Sequence, residues 1–169
     1  MSGLRVQLVH GLEGSPKGPK AEYLRRRFEL LAPAMDTSDF EGAVETQRAA
    51  LLSFDPAVLV GSSFGGAVVM ALLQRGAYRG PCLLLAQAGP HFGVELWLPD
   101  DVRVVLVHGT RDAVCPIEWS RALAAQAKGG NVELVEVDDE HRLSSLLGDE
   151  RFAEWVAHLA QPRTPTPNR

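Results

Sequence analysis

Short apolar runs alternate with segments of helical spacing from one end of the chain to the other. Residues 4–9 (Leu-Arg-Val-Gln-Leu-Val) read as a first strand. Ser15-Pro16 marks a helix start, after which Leu24, Phe28 and Leu31 fall on one helical face. Residues 31–35 read as a weak second strand, and Pro33 assigns it to a sheet edge, because proline cannot donate to a ladder. Thr37, Ser38 or Asp39 caps a helix running to about Ser53. Residues 57–60 form a third strand, and a helix follows it to about Gly76. Residues 81–86 and 102–107 are the fourth and fifth strands. Pro116 opens an alanine-rich helix ending near Gly129-Gly130, and residues 132–137 are the sixth strand. A last helix after the cap candidate Asp149 carries Phe152, Trp155, Val156 and Leu159 on one face.

Six strands separated mostly by helices imply βαβ crossovers, a mostly parallel sheet and helices on both faces, the α/β class. Neither an internal repeat nor a long linker divides residues 1–160, which read as one domain. Residues 161–169 contain three prolines and read as a disordered tail. In such α/β sheets the chemistry gathers beyond the carboxyl ends of the strands. Candidate residues are therefore sought there.

Composition narrows the function classes. The 169 residues suffice for a sizeable core, and 46% hydrophobic with 22% charged residues is a globular composition. A net charge of -4 without a basic patch argues against nucleic acid. The apolar runs fall far short of the ~20 residues a membrane span needs. The first residues lack a basic stretch followed by a long apolar one, so no secretory signal is expected and the cytoplasm is the default location. Cys82 and Cys115 lack metal-ligand spacing, so no metal or cofactor is expected.

The chemistry concentrates at residues 61–66, Gly-Ser-Ser-Phe-Gly-Gly. Gly-x-Ser-x-Gly between a strand and a helix makes a tight turn that holds Ser63 clear of both. With 16 glycines in the chain the motif also arises by chance, so its context decides. Asp112 lies just beyond the fifth strand, where a carboxylate can orient an imidazole. His141 lies just beyond the sixth, and its near-neutral pKa suits it to take a serine proton. Asp138, Asp139 and Glu140 are rival carboxylates, but as chain neighbours they are poorly placed to reach the far nitrogen of His141. His10 and His108 each precede a glycine at a strand end and read as turn-shaping or locally bonded. His158 lies far from any strand end.

The order serine, acid, histidine is that of α/β-hydrolases. With these motifs and the opening His10-Gly11-Leu12-Glu13-Gly14-Ser15-Pro16, the chain resembles a small α/β-hydrolase. Within that fold it is most similar to the compact YqiA-type bacterial esterases, over about residues 4–160. The resemblance implies Ser63 as nucleophile, Asp112 as acid and His141 as base. It also implies the backbone N–H groups of Leu12 and Phe64 as oxyanion donors. The stretch 87–101 is only loop-length, where larger relatives insert a lid or cap. An open, shallow site is expected, walled by His91, Phe92, Trp97 and Val114, although Phe92 and Trp97 equally suit a core. The function expected is hydrolysis of small carboxylic esters or thioesters. Acyl transfer or peptidase action through the same acyl-enzyme stays open, as does a non-catalytic binding module. The sequence leaves the oligomeric state undetermined.

Overall fold

The computed structural model describes residues 3–12 and 14–163, so most of the expected tail lies outside the described residues. The strands are β1 (Arg5–Val9), β2 (Glu29–Leu31), β3 (Val58–Ser62), β4 (Cys82–Leu85), β5 (Val104–Gly109) and β6 (Val132–Val137). They form one wholly parallel sheet in the order β2-β1-β3-β4-β5-β6. The helices are α1 (Pro19–Arg25), α2 (Phe40–Phe54), α3 (Phe64–Gln74), α4 (Ile117–Ala125) and α5 (Arg151–Ala160). From β1 the chain moves outward to β2, then returns across β1 and builds the rest of the sheet in the opposite direction. That reversal leaves a crevice at the carboxyl ends of β1 and β3, the place where open α/β sheets bind ligands.

Strand alternation splits the core in two. Val9, Leu59, Leu84 and Leu106 face α2, α3 and α4. Val6, Leu8, Val60, Leu83 and Val107 face α1 and α5. Gln7 is the polar exception on β1. Fully buried, it donates from Nε2 to Gln47 Oε1 on α2 at 2.8 Å, which offsets part of its loss of water. In α3 every residue from Phe64 to Leu73 is buried, as expected of a helix that is apolar all round and lies centrally against the sheet. Its close approach depends on glycine. A Cβ on Gly65 would overlap the Val9 carbonyl, and one on Gly66 would stand 2.9 Å from Cα of Gln87.

Local signals placed the first helix and second strand imperfectly. Residues 15–18 form a turn, with Ser15 Oγ accepting from the Lys17 N–H, and α1 starts at Pro19. Phe28 lies beyond its end. Leu31 joins β2, because the ladder from Arg5↔Glu29 to Gln7↔Leu31 claims residues 29–31. The strand is at the edge, as Pro33 indicated, but ends before it. Asp39 is the cap of α2, its Oδ1 accepting from Gly42 N–H at 2.9 Å. The alanine-rich helix stops at Ala125, and Asn131 closes the following turn by accepting from Lys128 N–H. Between β4 and β5 the only helical piece is the 3-10 turn Gly89–Phe92, and among the described residues no cap domain covers the sheet end. No helix among the described residues is long and apolar enough to cross a membrane.

Candidate active site

Ser63 occupies the turn between β3 and α3 with φ 56° and ψ -112°, a region that favours glycine. Two bonds fix it there: its N–H donates to Leu85 O at 2.9 Å, and its carbonyl accepts from Ala88 N–H at 3.1 Å. Gly61 permits the turn, since a Cβ on it would meet Gly65 O and Val69 Cγ2 at 2.7 Å. Asp112 and His141 stand on loops stitched together past β5 and β6. Thr110 N–H donates to Val137 O, and Arg111 N–H to Asp139 O. The buried side chains of Leu143 and Leu146 anchor the second loop in the core.

These loops bring three side chains into line. Ser63 Oγ lies 2.8 Å from His141 Nε2, and His141 Nδ1 lies 2.8 Å from Asp112 Oδ2. A carboxylate only accepts, so the ring proton belongs on Nδ1 and Nε2 is left to accept from the hydroxyl. Such a line can move a proton from serine to imidazole and stabilise the imidazolium that results. The neighbouring acids are engaged elsewhere: Asp138 pairs with Arg111 at 2.8 Å, and Asp139 accepts from Ser145. Glu140 faces Arg111 at 3.4 Å.

Asp112 is held ionised. Burial pushes its pKa up, but the Cys115 N–H, the His141 ring and the Val114 N–H more than offset this and leave it below the usual carboxylate range. Both N–H groups donate to Oδ1 at 2.8 Å. His108 is a partner the local pattern did not reveal. Its fully buried Nε2 lies 3.2 Å from Asp112 Oδ2 and 2.9 Å from Cys115 O. Both are acceptors, so Nε2 carries the proton and Nδ1 accepts from Ser120 Oγ at 2.7 Å. The only signal in the sequence was a second histidine four residues before the acid. Neither cysteine is a rival nucleophile. Burial, then Asp112, raises Cys115 to about 12, and burial raises Cys82 higher still.

A cleft of about 740 Å³ opens over Ser63 and His141. Leu12 lines it, and the preceding Gly11 packs so closely that a Cβ there would lie 3.3 Å from Ser63 Cβ. Phe64 opens α3 directly after Ser63, and the N–H groups of a first helical turn have no intrahelical partner. Val114 also lines the cleft, but the other three expected wall residues do not. His91 Nε2 is turned to Val114 O at 2.9 Å and its ring packs edge-on against Trp119. Phe92 completes an aromatic cluster with Phe40 and Phe64, because that apolar gap above α3 is where its ring is shielded from water. Trp97 stays outside, its carbonyl accepting from Gln74 Nε2. The walls come instead from α1 and the loop after β6, including Ala21, Leu147, Lys20 and Arg142. Among the described residues no group of three or more His, Cys, Asp or Glu is placed to hold a metal ion.

Comparison with known proteins gives this geometry a context. A family model described as TAP-like protein matches residues 82–169, just over half of the chain. No curated protein matches the sequence. Among solved structures the fold is similar to Est1E from Butyrivibrio proteoclasticus, with TM-score 0.76 and 15% identity, over 93% of this chain and 88% of that one. It is similar to the monoacylglycerol lipase of Paleococcus ferrophilus, with TM-score 0.71 and 17% identity, over 94% and 96% of the two chains. It is also similar to the esterase domain of a Rhodothermus marinus protein, with TM-score 0.68 and 17% identity, over 94% and 88%. At these identities the likeness is one of fold.

Proposed function

We infer that this chain, which belongs to the TAP-like family of α/β-hydrolases, is a serine hydrolase that cleaves small carboxylic esters or thioesters. The observation that carries the reading is the unbroken line from Ser63 Oγ through His141 to Asp112, with 2.8 Å at each step. In this mechanism Ser63 attacks the acyl carbon while His141 takes its proton. The oxyanion is held by the N–H groups of Leu12 and Phe64, and His141 then protonates the departing alcohol or thiol. Water, deprotonated by His141, releases the acyl group. Asp112 keeps the imidazole in the required tautomer throughout.

Esterase and lipase names among the structural neighbours support an ester as the substrate class. The finer likeness to YqiA-type esterases is supported by the opening at residues 10–16. The open cleft admits water to the acyl-enzyme, because no cap element among the described residues covers it. The test is hydrolysis of p-nitrophenyl acetate and butyrate by wild type and Ser63→Ala. A loss of at least about 10³-fold in kcat is expected. Equal rates, or failure of a fluorophosphonate probe to label folded wild type at Ser63, would favour a binding module instead.

A further inference from the structure

Among the described residues, Lys20 lines the cleft as a cation without a carboxylate partner, in a molecule where basic side chains usually have one. Arg75, Arg111 and Arg121, all more exposed, face Glu41, Asp138 and Glu136 within 2.6–2.8 Å. Arg111, which also lines the cleft, is thereby neutralised. Lys20 is half-buried and makes one hydrogen bond, from Nζ to the carbonyl of Arg142 at 2.8 Å. That bond ties α1 to the loop of His141 and uses one of three ammonium donors. Among the described residues Lys20 has no ion-pair partner. Burial and then the like charge of Arg142 lower its pKa, while Asp139 opposes them. A charge taken from water ordinarily brings a counter-charge with it. Here the described residues supply none within contact, although the chain's net charge is -4.

Lys20 and Ser63 line the same cleft, whose volume suits a small ester. We propose that Lys20 marks an anion subsite, and that the preferred ester carries a second, negatively charged group on its acyl or its alcohol half, in the simplest case a carboxylate. The ammonium donates to that group while the scissile carbonyl sits at Ser63. This rests on the serine-hydrolase reading and adds a substrate class to it.

The experiment compares matched esters that differ only in that charge. Mono-p-nitrophenyl adipate against its methyl ester tests the acyl side. The 4-butyryloxybenzoate anion against its methyl ester tests the alcohol side. In wild type, kcat/KM is expected to be about tenfold higher for the anionic member of one pair, the worth of a single charge-assisted hydrogen bond. The pair that responds identifies the side. The ratio is expected to fall toward one in Lys20→Met, to persist in Lys20→Arg, and to shrink when ionic strength rises from about 0.02 M to about 0.5 M. The salt series uses wild type alone, so it stands even if a variant folds poorly. Turnover of the neutral esters with no anionic preference in either pair would overturn the subsite and leave the hydrolase reading intact. No turnover of any ester would strike the hydrolase reading. Calorimetry of the same esters on wild type would then decide the subsite separately, tighter binding of the anions supporting it and equal binding ending it.

Discussion

At Asp112 the requirements of the proposed reaction and of folding meet in a single carboxylate. Its oxygens collect the N–H groups of Val114 and Cys115, the ring of His141 and, at longer range, that of His108. The three hydrogen bonds, from Val114, Cys115 and His141, favour the ionised form. The folded pKa lies below the unfolded value near 3.9. Its stabilisation is therefore fully present above about pH 4 and is lost as pH falls through the lower folded pKa. Urea midpoints at pH 5 and pH 3 should show wild type losing more stability than Asp112→Asn across that interval. Equal losses would mean the carboxylate is not held as described. Ser63, Asp112 and His141 stood out in the sequence because each follows an apolar strand, and strand ends are local signals. His108 and Lys20 did not. The first acts through a ring buried under α4, and the second stands in the first turn of α1, whose start at Pro19 the local signals misplaced.

The element that sets the site is α3. Its first turn presses on the end of β1 at Gly65, and β1 leads into the His10–Leu12 loop that borders Ser63. In Gly65→Ala the new methyl would meet backbone atoms of Val9 and His10, which cannot swing aside as a side chain would. A stability loss of about 3 kcal/mol is expected in chemical denaturation. A loss under about 0.5 kcal/mol would show that α3 shifts freely. The buried strands and α3 were legible because continuous apolar runs need no partner to be recognised. The ends of α1, β2 and α4 were not. Phe28 and Leu31 have helical spacing, yet pairing with β1 is a long-range gain that spacing cannot express. The aromatic cluster that takes in Phe92 joins α2, α3 and the 3-10 turn, and no local pattern announces it.

At the scale of the molecule, the reversal of strand order opens a cleft that no element among the described residues roofs. Apolar contact is therefore limited to the floor and walls provided by residues such as Ala21, Leu147 and Val114. An enclosed acyl tunnel would return about 0.8 kcal/mol per added methylene, close to fourfold in kcat/KM. Here the gain should end within a few carbons. A p-nitrophenyl series from acetate to decanoate is expected to peak at short chains, whereas a rise continuing through octanoate and decanoate would contradict an open site. The overall architecture was the most legible level, since six apolar runs alternating with helical segments leave few topologies. Where the walls stand was the least, because it depends on how loops from opposite ends of the chain meet.

One residue links these scales to the protein's history. Ser63 is held at φ 56°, a conformation that typically costs a non-glycine residue about 1–3 kcal/mol. Glycine would relieve that strain at a single codon's change while leaving the hydroxyl's chemistry behind. A lineage freed from selection for turnover would drift downhill toward glycine there, so serine at position 63 is a letter that selection for stability alone would erase.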